Sequence, residues 1–193
     1  MMIALDMDEV IAELLKATNS YYNNKHDTNF KLSDFDNYDW WNVWRISKEK
    51  AVEEFYSFME SPQSKEIKPV EGAIDAIKKL RGHHDLVIIT SRQEEFKDNT
   101  LEWVKMYIPG LEDNIYFTNT LSKIYTPTKK SDIALELGVD ILIDDQPKYI
   151  HDCVEKGIKG LLYDAPWNQT VLPNKNIIRV YSWDDVLNEL DIS

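Results

Sequence analysis

Asp6 and Asp8 stand one residue apart just beyond a short apolar run, Met2 to Leu5. At a strand end this spacing lets one carboxylate and a neighbouring backbone carbonyl share a hard cation, and such oxygen ligands suit Mg²⁺. Taken alone, the same pair reads equally as a solvated turn or a helix cap. Asp144 and Asp145 are adjacent and close a second apolar run, Ile141-Leu142-Ile143. Like charges side by side are costly unless a cation or hydrogen bonds compensate, so a metal fits here too, with capping of the following helix as the alternative. Thr90-Ser91-Arg92 ends a third run, Leu86 to Ile89. A hydroxyl and free backbone N–H groups at a strand-to-helix transition can hold phosphate oxygens, and Arg92 can add a charge-assisted contact to phosphate, sugar or base. Lys130, at the start of a predicted helix, opposes the helix dipole unless an anion lies nearby, and Lys129 can take the same part.

Each cluster needs a strand to carry it. Short apolar runs at Met2–Leu5, 86–89, 115–117 and 139–143 all end in polar residues, with weaker candidates at 160–163 and 177–181. Between them Val70, Ala73, Ile74, Ile77 and Leu80 recur at helical spacing, and residues 131–137 carry a Ser start and a Gly138 stop. Alternating strands and helices predict an α/β fold, a Rossmann-like parallel sheet with helices on both faces, and put the polar clusters along one sheet edge. Residues 13–69 break the alternation: aromatics crowd from Tyr21 to Trp44, and Val52, Phe55, Tyr56 and Met59 form a helical stripe. A connection this long predicts a small helical cap inserted after the first strand, over a core of 1–12 and 70–193. Phe35, Tyr38, Trp40, Trp41 and Trp44 are candidates to stack a base, and the cap's own core is their other use.

The chain of 193 residues carries 22 Lys+Arg against 34 Asp+Glu, a net charge of −12. Such a surface disfavours polymeric nucleic acid and anionic membranes. Cys153 is the single cysteine, so a disulfide framework and a Cys-based zinc site are excluded. A cytoplasmic protein is expected, a small ligand or a metal-bridged anion stays possible as partner, and a homodimer is left open.

Asp6-Met7-Asp8-Glu9-Val10, Thr90-Ser91-Arg92, Lys130 and Ile143-Asp144-Asp145, in that order, resemble the four motifs of the haloacid dehalogenase superfamily. The early insertion and the runs Ile143-Asp144-Asp145-Gln146-Pro147 and Asp164-Ala165-Pro166-Trp167-Asn168 look like its 5′(3′)-deoxyribonucleotidase group. The resemblance implies Asp6 as nucleophile forming an aspartyl-phosphate, and Asp8 as general acid and then base. It implies Mg²⁺ on Asp6, the Asp8 carbonyl and Asp145, with Asp144 supporting a metal-bound water, and Thr90, Ser91 and Lys130 holding the phosphoryl group. The expected activity is hydrolysis of a (deoxy)nucleoside monophosphate. A sugar phosphate or phosphoglycolate as substrate, and a non-catalytic binding or regulatory protein of the same fold, stay open at this point.

Overall fold

The structure is a computed structural model and describes residues 1–192. Strand β1 (Met2–Leu5) is almost wholly buried and leads into helix α1 (Leu14–His26), α2 (Trp40–Trp44) and α3 (Lys48–Met59). The chain then runs through α4 (Ala73–Leu80), β2 (Asp85–Thr90), α5 (Lys97–Tyr107) and β3 (Ile115–Phe117). It closes with α6 (Lys130–Glu136), β4 (Ile141–Asp144), α7 (Pro147–Val154), β5 (Lys159–Tyr163), β6 (Ile177–Val180) and α8 (Trp183–Glu189). The six strands form one parallel sheet in the order β3-β2-β1-β4-β5-β6, the expected α/β architecture. Among the described residues, no helix is long and apolar enough to cross a membrane.

Alternate side chains of each strand face opposite sides. Ile3, Leu5, Ile88, Ile143 and Leu161 pack with α4, α5 and α8, whereas Ala4, Val87, Ile89, Leu142 and Leu162 pack with α6 and α7. Both faces are covered, which is why the strands read as continuous apolar runs. Glycine at 160 is required by this packing, since a Cβ there would meet Ile150 Cγ2 of α7 at 2.6 Å. Helix α6 begins at Lys130, one residue before the expected Ser131 start. Ser131 is instead buried within the first turn, and Gly138, at φ +67°, follows the helix end.

Register carries the chemistry to one place. Ile3 pairs with Leu86 of β2 and with Ile141 of β4, so Leu5, Thr90 and Asp144 all lie at the carboxyl ends of adjacent strands. The segment between β1 and α4 is helical, with short 3₁₀ turns at Leu32–Asp34 and Pro62–Glu66. It leaves and returns side by side: Ala12 bridges Pro69, Glu13 N donates to Lys68 O at 2.9 Å and Val70 N to Ile11 O at 2.8 Å.

Trp44 belongs to the interior of this insert. Its ring stacks on Tyr22 at 4.1 Å, and its indole N–H donates to Asn19 at 3.1 Å, so a base-stacking role for Trp44 is corrected. Trp44 is 3% exposed and packs on Tyr22 and Trp40, part of the aromatic core that an insert of this size needs. Trp41 is partly exposed and lines the cavity between insert and sheet edge.

Candidate active site

The backbone beyond β1 is pinned before its side chains are. Asp6 N donates to Ile143 O at 2.9 Å, extending the β1–β4 pairing by one residue, and Ile11 N and Ala12 N both close on Met7 O. Glu9 takes a left-handed conformation, φ +63°, which makes the turn. No hydrogen bond among the described residues ends on the Asp8 carbonyl.

Lys130 answers the question of which lysine serves the site. It is buried, with its ammonium 2.6 Å from both Asp6 Oδ1 and Asp144 Oδ2, while Lys129 is an exposed N-cap residue. Both contacts are ion pairs, and the one to Asp144 is also a well-directed hydrogen bond. The second oxygen of Asp144 accepts from Gln146 N at 2.7 Å. Asp145 turns Oδ2 toward Gln146 Nε2 at 2.9 Å and Trp167 Nε1 at 2.7 Å. Asn168 braces the same loop from beneath, donating to the Asp145 and Tyr163 carbonyls.

Arg92 is placed differently from its expected contact with substrate. Its guanidinium is buried against Asp8, Nη2 at 2.7 Å and Nε at 3.0 Å from Oδ1, and Nη1 donates to Thr100 at 3.2 Å. A carboxylate buried at this depth needs a cation, and Arg92 supplies it in fork geometry. Thr90 is fully buried and accepts from Arg92 N, and Ser91 donates to the Tyr149 hydroxyl at 3.0 Å. Tyr149, whose ring also lies 4.6 Å from the Lys130 ammonium, escaped the sequence reading because its place depends on α7 rather than on any motif. Glu9 escaped it as well. Its half-buried carboxylate accepts from Leu15 N at the start of α1 and from the Tyr38 hydroxyl at 2.9 Å.

Carboxylates outnumber cations here. Among the described residues, Asp6, Asp8, Glu9, Asp144 and Asp145 form ion pairs only with Lys130 and Arg92, an excess of three negative charges by counting. Burial and then the neighbouring Asp144 push the Asp6 carboxyl up to about 8. Burial and then Asp8 push Glu9 to about 8, and burial with Asp144 holds Asp145 well above the usual range. Lys130 moves up because Asp144 and Asp6 outweigh its burial. Oxygens of Asp6, Asp144 and Asp145 lie within 4.8 Å of one another. Three carboxylate oxygen donors and a surplus of negative charge together fit a hard divalent cation. A cavity of about 310 Å³ opens above them, walled by Asp6, Asp8, Ser91 and Arg92 on the sheet side and by Tyr38, Trp40, Trp41, Val52 and Phe55 from the insert.

The chain matches a protein-family model across residues 1–192, that of the 5′ nucleotidase, deoxy (pyrimidine), cytosolic type C protein. It is 27% identical over 194 residues to a 5′(3′)-deoxyribonucleotidase of Bacillus subtilis, 97% of each chain being covered. To a nucleotidase of Clostridium acetobutylicum it is 26% identical over 193 residues, covering 98% of this chain and 93% of that one. A haloacid dehalogenase-like hydrolase of Streptococcus pneumoniae superposes with a TM-score of 0.70 at 16% identity, over 98% of this chain and 97% of that one. A hydrolase of the same superfamily from Deinococcus radiodurans, solved with bound phosphate and sodium, gives 0.64 at 12%, over 98% and 94%. At those identities the structural matches speak for the fold, which is haloacid dehalogenase-like.

Proposed function

The chain belongs to the cytosolic type C family of 5′-nucleotidases, phosphomonoesterases of the haloacid dehalogenase superfamily, and from that premise we propose that it hydrolyses (deoxy)nucleoside monophosphates through an aspartyl-phosphate on Asp6. The observation that carries this reading is the convergence of Asp6, Asp8, Lys130 and Asp145 on the carboxyl edge of the central strands, under a cavity of nucleotide size.

Asp6, Asp145 and the Asp8 carbonyl would hold Mg²⁺, which when bound supplies the positive charge that a phosphate dianion needs among carboxylates. Lys130 and the Thr90–Ser91 turn orient the phosphoryl oxygens. The Asp6 carboxylate attacks phosphorus, the ester P–O bond breaks, and Asp8 gives its proton to the departing alkoxide. Asp8, now a carboxylate held by Arg92, then takes a proton from the water that attacks the acyl phosphate. Inorganic phosphate leaves and Asp6 is restored. Phosphoryl transfer of this kind rests on positioning and charge, which a cluster fixed by 2.6–3.0 Å contacts is suited to give.

The test is release of inorganic phosphate from a panel of nucleoside monophosphates and sugar phosphates, with Mg²⁺ and with chelator, for the native chain and Asp6→Asn. Metal-dependent release from nucleotides, lost in Asp6→Asn, is expected. Turnover that survives the substitution removes Asp6 as nucleophile, and a panel led by sugar phosphates removes the nucleotide.

A further inference from the structure

Glu9 stands in the turn between Asp8 and Val10 with φ +63°. That left-handed backbone is unfavourable for any residue but glycine, and glutamate lacks the short side chain with which asparagine or aspartate eases it. A carboxylate kept at such a position points to a use that glycine could not serve.

Both of its oxygens bind the insert. Oε1 accepts from Leu15 N at 2.6 Å, one of the first-turn N–H groups of α1 that have no partner within the helix. Glu13, in the cap position, makes no side-chain cap, and the first turn of α1 holds no acidic residue. Glu9 therefore supplies from outside the helix the acceptor and the negative charge that a helix start favours. Oε2 accepts from the Tyr38 hydroxyl at 2.9 Å. Tyr38 lines the cavity, and its ring meets Trp40 of α2 at 5.6 Å and Trp167 of the core at 5.2 Å, both edge-on. Glu9 itself is not among the residues that line the cavity.

We propose that Glu9 is a positioning residue that clamps the insert to the turn bearing Asp6 and Asp8. It fixes the start of α1 and, through Tyr38, the insert's side of the cavity wall, without touching the substrate. This rests on the nucleotidase reading of the cavity and adds to it a residue that acts through another. The phosphate meets the turn that carries Glu9 and the far end of the substrate meets the wall that holds Tyr38, so one carboxylate sets the spacing between them. The backbone pairs of Glu13 with Lys68 and of Val70 with Ile11 close the neck of the insert, and neither reaches Tyr38.

The experiment joins steady-state kinetics on deoxyuridine 5′-monophosphate to amide hydrogen exchange of the substrate-free chain. It compares the native protein, Glu9→Gly, Glu9→Gln, Tyr38→Phe and the double variant Glu9→Gly/Tyr38→Phe. Glycine accepts the φ of the turn and removes the clamp, whereas glutamine keeps one acceptor for two donors. Glu9→Gly is expected to raise KM roughly tenfold with kcat little changed, the effect of one or two lost hydrogen bonds, and Glu9→Gln to fall between it and the native chain. Tyr38→Phe should raise KM by itself and add nothing in the Glu9→Gly background, since the two residues act as one unit. Exchange at the Leu15 amide should quicken about tenfold in Glu9→Gly and stay native in Tyr38→Phe. Losses that multiply in the double variant mean that the Tyr38 hydroxyl acts apart from Glu9 and overturn the proposal. So does a Glu9→Gly variant of lowered melting temperature with native KM, which marks a helix cap and nothing more, or native exchange at Leu15. Should Glu9→Gly fail to fold, Glu9→Gln takes its place in the same cycle. A native chain that releases no phosphate overturns the nucleotidase reading instead, and the exchange data, which need no turnover, then decide the clamp by themselves.

Discussion

Arg92 grips Asp8 with two nitrogens, Nη2 at 2.7 Å from Oδ1 and Nε at 3.0 Å from Oδ1 and 3.2 Å from Oδ2, and rests its third on Thr100. In the proposed mechanism this carboxylate passes a proton to the leaving group, and a residue of the neighbouring strand end fixes its direction. An alkoxide leaving group needs that proton, whereas a nitrophenolate departs as a stable anion. Arg92→Met should therefore cut kcat on a nucleoside monophosphate by about 100-fold, within the range of general acid catalysis, and on p-nitrophenyl phosphate by less than about tenfold. Parallel steady-state assays decide it, and equal losses on the two esters would remove Arg92 from the orientation of Asp8.

Lys130 sits between two buried carboxylates at 2.6 Å from each. Lys130→Met leaves Asp6 and Asp144 facing one another without their shared cation. Breaking a buried pair from one side typically costs about 3–5 kcal/mol, so the variant should unfold at markedly lower urea and lose phosphatase activity. Lys130→Arg should keep part of the stability but little activity, since a planar fork cannot replace one ammonium between two oxygens. Urea titration beside phosphate release measures both.

The strand ends were legible because a strand covered on both faces must be apolar, so each polar cluster marked where cover stopped. Hence Asp6, Thr90 and Asp144 were found at their true positions. What a polar side chain does after the strand ends was less legible. Nothing in Thr90-Ser91-Arg92 says that the arginine turns inward to Asp8, because that depends on two loops meeting across 84 positions of sequence. Trp41 and Trp44 posed the same difficulty. Three residues apart on a short helix, one meets the cavity and the other Tyr22, a distinction of rotation that the surrounding helices decide.

That division gives opposite outcomes for two tryptophans. Trp44→Ala removes a ring stacked at 4.1 Å in the interior of the insert and should cost about 3–5 kcal/mol of stability. Trp41→Ala takes away cavity wall from a partly exposed position and should raise KM for nucleotides several-fold with stability nearly unchanged. Thermal unfolding and initial-rate curves on both variants suffice. A destabilised Trp41→Ala with unaltered KM would contradict the placement.

Glu54 couples the stability of the insert to pH. Burial alone would push its carboxyl up, but the Lys25 ammonium at 2.7 Å outweighs burial and, with His26, holds it below the usual carboxylate range. A depressed folded value means that the unfolded chain binds the proton more readily. The contribution is therefore complete above pH ~4.5 and is lost as the pH falls through the folded value. Between about pH 5 and pH 3, Glu54→Gln should show a smaller fall in unfolding free energy than the native chain. Identical slopes would show that the ion pair contributes nothing.

Trp167 and Gln146 both donate to Oδ2 of Asp145, and no hydrogen bond among the described residues ends on Oδ1. The two donors fix the plane of the carboxylate and leave Oδ1 without a donor, beside the Asp6–Asp144 pair whose oxygens lie within 4.8 Å of an Asp145 oxygen. The Trp167 ring also meets Tyr38 of the insert edge-on at 5.2 Å, so the ring has packing to keep when its N–H is lost. Trp167→Phe isolates the hydrogen bond from that packing. Removing a donor that orients a ligand usually weakens metal binding about 10–100-fold, and Mg²⁺ titration by calorimetry should show a shift of that size while the melting temperature of the metal-free chain barely moves. Activity should recover at high Mg²⁺, as expected when the loss lies in affinity and the bound geometry is intact. A variant that binds Mg²⁺ as the native chain does would show that Gln146 alone is enough to hold Asp145.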